Sequence, residues 1–442
     1  MCGIIGLYGK NRKMNYEIIY QGLRNLQHRG IESAGLAYYS NNHVHEIKNL
    51  GKVKDALPAS LDQEFFAGVG HVRYATSRNK GELMLKLDDT QAFIDEDMKI
   101  AFVHNGHIIG IDGLAEHFGI VNDSMSDSAF LFKLILTKIG QLGGIEQALI
   151  WLIENISGVY SIVMLYKNKL YALRDRVGIR PLWLGRQMDD SSNYIVVSET
   201  SALPSDYLPF REIKPGEIIR LDKTGINYIL QIGGNEKMCS FEYIYFQSHR
   251  SFAVENFRFK SGKLMAMQEK EVLADIVVCM PNTAIPSAQG FAKQLGLPYF
   301  DYIQKIKDYR SFIAPDQETR RIYCQKKFLL SPELEGKRIY LVDDSIVRGT
   351  TMGEMTKKLR DIGVKEIHVR SVSPPVRFTC SYGIDIPTQT ELIAHDKTVE
   401  EISKEIKVDS LKYLTISQLE TLLGKNICTH CFSGTKPFIP DW

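Results

Sequence analysis

The stretch LVDDSIVRGTT, residues 341–351, constrains the fold of this chain more than any other. Its apolar start predicts a buried strand, two acids end that strand, and the sequence then predicts a helix over residues 353–360. Backbone N–H groups and the dipole at such a helix N-terminus bind anions such as phosphate. Open α/β sheets bind ligands beyond the carboxyl ends of their strands, so the stretch predicts an anion site. The alternative is that the acids only cap the helix.

The string VDDSIVRGTT resembles the phosphoribosylpyrophosphate (PRPP) loop of type I phosphoribosyltransferases. In this version it is most similar to that of glutamine PRPP amidotransferases. The resemblance implies that the two acids hold the ribose hydroxyls together with Mg²⁺, and that the loop binds the 5′-phosphate through backbone N–H groups and hydroxyls. The implied PRPP-binding residues are Asp343, Asp344, Ser345, Arg348, Gly349, Thr350 and Thr351.

Length and composition bound the remaining possibilities. A chain of 442 residues exceeds one typical core, so two domains are expected. The net charge is only +2 and no basic block stands out, which argues against nucleic acid as a partner. No apolar run reaches the roughly 18 residues that span a bilayer, and the N-terminus lacks signal-peptide features, so we expect a cytoplasmic protein without a membrane partner. Its seven cysteines are then thiols, ligands or nucleophiles rather than disulfides.

A cysteine directly follows the initiator methionine. Removal of Met1 would give Cys2 a free α-amine, whose reference pKa of about 7.7–8.0 lets it accept the proton of its own thiol near neutral pH. Nucleophile and base then share one residue, as in N-terminal-nucleophile (Ntn) enzymes. A cysteine at this position alone has a structural role by default, but the small and apolar residues 3–6 predict a strand that buries the terminus.

Further motifs in the N-terminal half carry polar residues at predicted turns and strand ends. Arg73 lies in a predicted strand, Asn105 and Gly106 in a predicted strand-to-turn bend, and Asp127 at the start of a helix predicted over residues 129–139. Singly, each has an ordinary alternative. Arg73 could form a surface ion pair, Asn105-Gly106 a hairpin turn, and Asp127 a helix N-cap.

Together, the motifs HRGIESAG, GHVRYAT, FVHNGHI and SDS resemble the class II glutamine amidotransferase domain. The resemblance implies that Cys2 attacks the glutamine amide, and that the N–H of Gly106 and the side chain of Asn105 form the oxyanion hole. It further implies that Arg73 pairs with the glutamine α-carboxylate and Asp127 with the α-ammonium group.

The C-terminal half departs from the amidotransferase pattern at three places. The family usually continues its FEYVYF signature with ARPDS, whereas this chain has FEYIYF without ARPDS after it. The family motif PDSG is replaced by PNTA at residues 281–284, in which Thr283 keeps a hydroxyl for metal or pyrophosphate. Residues 301–315 occupy the place at which the family has a mobile lid that closes over PRPP. Lys305, Lys307 and Arg310 in this stretch either supply positive charge for a pyrophosphate or are simply solvated.

Four cysteines match the places at which one branch of the amidotransferases binds a [4Fe–4S] cluster. They are Cys239, Cys380 and the C-x-x-C pair Cys428 and Cys431. Four thiolates suit a cubane cluster, and they also suit tetrahedral zinc or remain unmetallated. One feature disagrees with that branch. Its members usually carry a short propeptide before the nucleophile, whereas Cys2 directly follows Met1 in this sequence.

Residues 195–203, IVVSETSAL, predict a strand and a turn, residues 214–221 predict the final strand of the first half, and residues 396–426 predict an amphipathic packing helix. The combined prediction is an α+β Ntn αββα sandwich over residues 2–230, as the resemblance implies, followed by an α/β doubly wound type I phosphoribosyltransferase domain over residues 231–442 that ends in a helical, cysteine-bearing segment. The resemblance implies glutamine-dependent amination of PRPP to 5-phosphoribosylamine, the first step of purine biosynthesis. Mg²⁺ would be held by Thr283, Asp343 and Asp344, and we expect a homo-oligomer, a dimer or a tetramer. Two alternatives stay open: a paralogue that aminates a different phosphosugar, and a non-catalytic PRPP or nucleotide sensor.

Overall fold

The computed structural model describes residues 2–10, 15–74, 87–121, 126–234, 236–306, 328–386 and 388–437. The chain divides into two compact units. The first contains the residues up to Met238 and the later segment Ser381–Asp385, and the second contains Cys239–Cys380 and Ile386–Lys436. The domain boundary predicted between residues 230 and 231 falls at the last residue of the strand Gly225–Gln231.

The first unit is built on two antiparallel sheets. Their strands, in chain order, are β1 (Gly3–Tyr8), β2 (Ser33–Ser40), β3 (His43–Leu50), β4 (Ala67–Arg73), β5 (Phe93–Asp95), β6 (Ile100–Ile108), β7 (Gly158–Tyr166), β8 (Lys169–Arg174), β9 (Trp183–Gln187), β10 (Tyr194–Val197), β11 (Tyr207–Glu212), β12 (Glu217–Asp222) and β13 (Gly225–Gln231). One sheet has the order β11-β9-β10-β1-β4-β2-β3 and the other β13-β12-β8-β7-β6-β5.

Helices cover the outer faces of both sheets. The helices of this unit are α1 (Asn15–Asn25), α2 (Val53–Ala56), α3 (Ile111–Phe118), α4 (Asp127–Leu142) and α5 (Ile145–Asn155). Because side chains alternate along a strand, Ile4 enters the core between the sheets while Ile5 packs against the layer of α1 and α2. Phe102 of β6 packs with Phe130 of α4 on the outer face of the second sheet. The predicted αββα sandwich is confirmed.

The second unit is built on a parallel sheet. Its strands are β14 (Met238–Cys239), β15 (Ile276–Cys279), β16 (Ile303–Lys305), β17 (Phe328–Leu330), β18 (Arg338–Asp343), β19 (Glu366–Ser371), β20 (Ser410–Tyr413) and β21 (Ile427–Cys428), and its helices are α6 (Phe252–Ala266), α7 (Ile285–Leu295), α8 (Thr350–Asp361), α9 (Val399–Glu405), α10 (Ile416–Leu423) and α11 (His430–Ser433). The strands β15, β18, β19 and β20 lie side by side in this order, all parallel.

Both faces of this parallel sheet are covered by helices. Leu341 packs in one core with Leu359 of α8 and Ile402 of α9. The neighbouring side chain Tyr340 points to the opposite face, where its ring centroid lies 5.0 Å from that of Phe291 in α7. The predicted doubly wound arrangement is therefore confirmed. Within the described residues, no helix is both long and apolar enough to cross a bilayer.

Three predictions of local structure need correction. The strand predicted over residues 214–221 is not the last of its sheet, because β13 follows and pairs with β12. The single amphipathic helix expected over residues 396–426 is interrupted by β20, since Thr398 and Thr415 each start a separate helix with a capping box. The helix predicted from residue 353 begins at Thr350, inside the predicted phosphate loop.

A buried ion pair joins the sheet of the second unit to the chain after α6. Arg370 of β19 donates two hydrogen bonds to Glu269, at 2.7 and 3.0 Å, and both side chains are almost fully buried. Burial raises the pKa of Glu269, but the hydrogen bonds and charges of Arg370 and Lys412 outweigh burial and lower it. The carboxylate is therefore expected to stabilise the fold above the ordinary glutamate pKa of about 4.3, and this stabilisation is lost on acidification below it.

We predict that Glu269→Ala lowers the stability of the second unit by about 3–5 kcal/mol, because it leaves the Arg370 charge buried without its partner. Hydrogen exchange of peptides that cover β18 and β19 measures this loss without requiring two-state unfolding of the whole chain. The matched control is Asp275→Ala, which breaks an exposed pair with Arg338 and should change protection much less. Equal losses in both variants would contradict the prediction.

Candidate active sites

Strand β1 delivers Cys2 to one end of the first sheet. In the antiparallel register Gly3 lies opposite Val72, which places the preceding residue, Cys2, at the end of β4 that carries Arg73. The carbonyl oxygen of Cys2 accepts a hydrogen bond from Arg29 Nε at 3.0 Å, and its Sγ lies 3.8 Å from the carbonyl oxygen of Tyr74. The residue as a whole is partly exposed.

Asn105 and Gly106 lie within β6 rather than in the predicted bend. They pair with Ser161 and Tyr160 of β7, and the pairing continues to Ile108, so the Asn-Gly dipeptide makes no hairpin turn. The prediction failed because this dipeptide is a turn signal only where the chain reverses, and here the strand runs on.

The side chain of Asn105 has the features of an oxyanion-hole donor. It is 2% exposed, and its Nδ2 finds no hydrogen-bond partner among the described residues. A buried donor left unpaired costs about 1–3 kcal/mol, so such a group is rare unless a ligand completes it. The preceding His104 interacts electrostatically with His71 of β4.

Asp127 and Arg73 are both held by backbone groups. Asp127 is the first residue of α4, and its Oδ2 accepts a hydrogen bond from Ile108 N at 3.2 Å, while the N-cap of the helix is Ser126. Arg73 Nη1 donates to the carbonyl oxygen of Asp89. Asp127 is therefore not the N-cap, and among the described residues Arg73 forms no ion pair.

The segment Ser381–Asp385 packs on this site, although it comes from the C-terminal half of the chain. Asp385 accepts a hydrogen bond from the hydroxyl of Tyr74 at 3.3 Å, and the carbonyl oxygen of Tyr382 accepts one from Arg180. A Cβ on Gly383 would lie 3.3 Å from the carbonyl oxygen of Gly106. The sequence prediction missed this segment, because nothing local to residues 381–385 signals a contact so distant along the chain.

In the second unit, the predicted PRPP loop joins β18 to α8 as expected. Asp343 is the last residue of β18, and Asp343 and Asp344 are both 9% exposed. Asp343 Oδ1 accepts from Asp344 N at 2.8 Å, and Ser345 Oγ donates to Asp344 Oδ1 at 2.7 Å, so the carboxylates are held in fixed orientations. Gly349, at φ +75°, is the last residue of the loop and the N-cap of α8. A Cβ there would lie 2.3 Å from Ile393.

The remaining predicted residues of this loop belong to the same turn. Thr350 and Thr351 are the first two residues of α8, which places them where a helix N-terminus binds an anion. The Arg348 side chain is held in place, because its Nε donates a hydrogen bond to Glu391 Oε1 at 3.0 Å. The loop therefore presents hydroxyls and helix N–H groups beside the two carboxylates.

Thr283 lies in the turn that follows β15, the strand next to β18. Burial raises the pKa of Cys279, at the end of β15, to about 12, and the charges of Asp301, Asp343 and Asp344 add to this effect. The electrostatic coupling shows that β15 ends near the paired acids. Of the expected lid cations, Lys305 lies in β16, while Lys307 and Arg310 lie outside the described residues.

The four predicted cluster cysteines come together in the second unit. Strands β14 and β21, which carry Cys239 and Cys428, pair with each other. The carbonyl oxygen of Cys431 accepts from Arg377 N and Phe378 N at 2.9 and 3.1 Å, which brings the segment before Cys380 to the same place. Burial, and then the charges of the other three cysteines, raise the pKa of Cys431 well above its usual range.

A thiol whose ionisation is disfavoured by three neighbouring cysteines fits a bound metal centre, because a cation would compensate the charges of the thiolates. Within the described ranges, no three or more His, Cys, Asp or Glu side chains are arranged around a single ion position. A cubane cluster separates its four sulfurs more widely than one zinc ion does, so this finding leaves the cluster prediction untested.

Two domain families match the two units. Residues 79–205 match a glutamine amidotransferase domain and residues 257–408 a phosphoribosyl transferase domain. The amidophosphoribosyltransferase of Methanocaldococcus jannaschii is 36% identical over 99% of this chain and 98% of its own length. The chloroplastic enzyme of Glycine max is also 36% identical, over all of this chain and 79% of its own length.

Solved structures give the same result. Glutamine PRPP amidotransferase from B. subtilis, complexed with ADP and GMP, is 32% identical with a TM-score of 0.85, over 99% of this chain and 97% of that one. A structure described as the allosteric regulatory enzyme of purine biosynthesis is 31% identical with a TM-score of 0.86, over 100% of this chain and 97% of that one.

An Ntn-type amidotransferase unit joined to a phosphoribosyltransferase unit defines a glutamine-dependent pentosyltransferase. The chain belongs to the amidophosphoribosyltransferase family, and it is an enzyme. The paralogue and the sensor considered from the sequence receive no support from these comparisons.

We predict that Gly383→Ala lowers kcat/KM for glutamine hydrolysis by about tenfold, because at φ +84° its Cβ crowds His107 and Arg180 at 3.0 Å, beside Gly106. Gly143→Ala is the matched control. It has a similar φ of +78° with open space around the new Cβ, so it should cost only the conformational strain of about 1–2 kcal/mol. If both variants lose stability equally and both hydrolyse glutamine normally, the segment has no role at this site.

Proposed function

We propose that this enzyme transfers ammonia from glutamine to C1 of PRPP and releases 5-phosphoribosylamine, glutamate and pyrophosphate. The observation that supports the residue assignments best is the pair of prepared sites. One contains Cys2 and a buried Asn105 whose Nδ2 has no hydrogen-bond partner among the described residues, and the other contains two fixed carboxylates before a helix N-terminus. In the family to which the chain belongs, this reaction opens purine biosynthesis.

In the first half-reaction, removal of Met1 frees the α-amine of Cys2, which accepts the thiol proton as the sulfur attacks the amide carbon of glutamine. The tetrahedral oxyanion receives hydrogen bonds from Asn105 Nδ2 and Gly106 N–H, and one such donor is worth about 2.7–4 kcal/mol. Collapse expels ammonia, which takes up the proton, and leaves a thioester that water hydrolyses to glutamate. Arg73 binds the α-carboxylate of glutamine and Asp127 binds its α-ammonium group.

In the second half-reaction, ammonia attacks C1 of PRPP as the bond to pyrophosphate breaks. Asp343 and Asp344 hold the ribose hydroxyls, and the loop from Ser345 to Thr351 binds the 5′-phosphate through its N–H groups and hydroxyls. The protein contributes mainly positioning and stabilisation of the oxocarbenium-like charge. Thr283 faces the pyrophosphate in this proposal, and Arg348 lies at the edge of the phosphate pocket.

Two cofactors belong to this proposal. Mg²⁺ held by Asp343, Asp344 and Thr283 would neutralise charge on the pyrophosphate leaving group. A [4Fe–4S] cluster on Cys239, Cys380, Cys428 and Cys431 would have a structural role, because neither half-reaction as proposed uses these residues. The donor set fits the cluster, since Cys239 and Cys428 lie on paired strands and the carbonyl oxygen of Cys431 binds the segment just before Cys380.

Three further features belong to the proposal. The enzyme acts in the cytoplasm, where thiols such as Cys2 stay reduced. It assembles as a dimer or a tetramer. Nucleotides inhibit it at the PRPP loop, as expected from the family and from the ADP and GMP in the B. subtilis complex.

We predict that Cys2→Ala and Asp343→Asn separate the two half-reactions. The first variant should lose glutamine hydrolysis by on the order of 10⁴-fold and retain synthesis from free ammonia. The second should raise KM for PRPP about 10- to 100-fold, because hydrogen bonds to charged groups contribute about 1.5–3 kcal/mol. Glutamate and pyrophosphate release measure the two steps. A Cys2→Ala variant that still hydrolyses glutamine would refute the assigned nucleophile.

We predict that protein purified without oxygen is brown and contains about four iron and four sulfide ions per chain. Cys431→Ser should lose most of the iron. Cys279→Ser is the matched control, since Cys279 is buried in the same unit but is not a predicted ligand, and it should keep its iron. Colourless, iron-free and fully active protein would end the cluster proposal.

A further inference from the structure

A fully buried ion pair lies next to the proposed nucleophile. Arg29 Nη1 and Glu199 Oε2 are 2.9 Å apart, and both side chains are 0% exposed. Removing two charges from water is costly, and replacing a buried pair by well-packed apolar residues is often neutral or stabilising. The stability of the fold alone therefore does not explain why this ion pair is buried here. The groups that contact Arg29 and Glu199 indicate another role.

One end of the pair holds the backbone of Cys2. The guanidinium group presents five donors in a rigid, planar arrangement. Nη1 binds Glu199, and Nε donates to the carbonyl oxygen of Cys2 at 3.0 Å. Fixing this carbonyl restricts rotation about the bond between Cα and C of Cys2, and so restricts the directions in which its thiol and its α-amine point. Both functional groups of an Ntn nucleophile depend on that orientation.

The other end of the pair is anchored to the sheet and to two more side chains. Glu199 follows β10, and the preceding Ser198 exchanges hydrogen bonds with Ile4, at 3.0 Å from its N–H and 2.9 Å to its Oγ. His28 Nε2 lies 2.9 Å from Glu199 Oε1, to which Ser201 also donates. Burial raises the pKa of Glu199, but His28, Arg29 and Ser201 outweigh it and lower the pKa to about 2. Glu199 is therefore ionised at neutral pH.

We propose that Glu199 is a positioning residue of the glutaminase site: its carboxylate fixes the Arg29 guanidinium, which in turn fixes the carbonyl of Cys2 and orients the nucleophile. The inference rests on the proposed role of Cys2. It gives a function to the motif IVVSETSAL, which the sequence predicted only as a strand and a turn.

The test compares Glu199→Gln with Glu217→Gln. Both are buried glutamates of the same unit that are paired with an arginine, but the partner of Glu217 is Arg211, which hydrogen-bonds Glu217 and the carbonyl oxygen of Glu212 and lies over the ring of Tyr228. A misplacement of about 1 Å can cost on the order of 100-fold in rate. We expect Glu199→Gln to lower kcat for glutamine hydrolysis at least about tenfold with KM changed less than about threefold, because the groups that bind glutamine stay in place.

Further readouts separate positioning from stability. Synthesis from free ammonia should stay within about twofold of wild type in both variants, and alkylation of Cys2 by iodoacetamide should slow only in Glu199→Gln. Arg29→Lys keeps the charge without the planar fork, so it should lower kcat as Glu199→Gln does. If Glu199→Gln fails to fold, His28→Ala decides, because this side chain is one-third exposed and its loss should still lower kcat about threefold.

Four outcomes would overturn the inference. The first is a folded Glu199→Gln variant whose kcat for glutamine hydrolysis stays within about twofold of wild type, and the second is a Glu199→Gln variant that loses ammonia-dependent synthesis as much as glutamine hydrolysis. The third is a Glu217→Gln variant that loses as much kcat for glutamine hydrolysis as Glu199→Gln, and the fourth is a fully active Arg29→Lys variant. The inference and the proposed function fail differently. Glutamine hydrolysis by Cys2→Ala would refute the assigned nucleophile, whereas an inactive Cys2→Ala beside a normal Glu199→Gln would refute only the role of Glu199.

Discussion

The glutaminase site depends on one constraint, which is that a chain terminus must be held as firmly as a residue of the core. Termini are usually the least ordered parts of a domain. Here β1 is an inner strand, paired with β10 on one side and β4 on the other, and all six of its residues are buried. The hydrogen bond from Arg29 then holds the carbonyl of Cys2, the one residue between this strand and Met1. A nucleophile that supplies its own base is possible only because its backbone is fixed in this way.

The two sites stabilise their reactions by different means. In the proposed mechanism a covalent intermediate forms at Cys2, and Asn105 Nδ2, which has no hydrogen-bond partner among the described residues, donates to the oxyanion. At the end of β18 the protein presents oriented carboxylates and the start of α8, which suit a sugar phosphate. Cys2 directly precedes β1 and the paired acids end β18, and the buried strands behind them supply the rigidity. The proposed chemistry uses none of the four predicted cluster cysteines.

The sequence predicted those parts of the structure that short stretches determine. The acid pair after β18 and the doubly wound sheet follow from local strand and helix patterns, whereas the αββα layers were implied by the resemblance to class II amidotransferases. The errors arose where a local signal met a longer-range pairing. Asn105-Gly106 continues a strand because β7 pairs along its whole length, and Leu411 lies in a strand because β19 offers an edge. Asp385 and Glu199 could not be foreseen, since their partners lie 311 and 170 residues away.

Transfer of labelled nitrogen tests the central claim most directly. The enzyme is given glutamine labelled with ¹⁵N in its amide, together with PRPP and Mg²⁺, and glutamate, pyrophosphate and the phosphoribosyl product are measured together. The account predicts one glutamate for each pyrophosphate, with the label on C1 of the product. Glutamate formed without pyrophosphate release, or pyrophosphate released without labelled product, would contradict it.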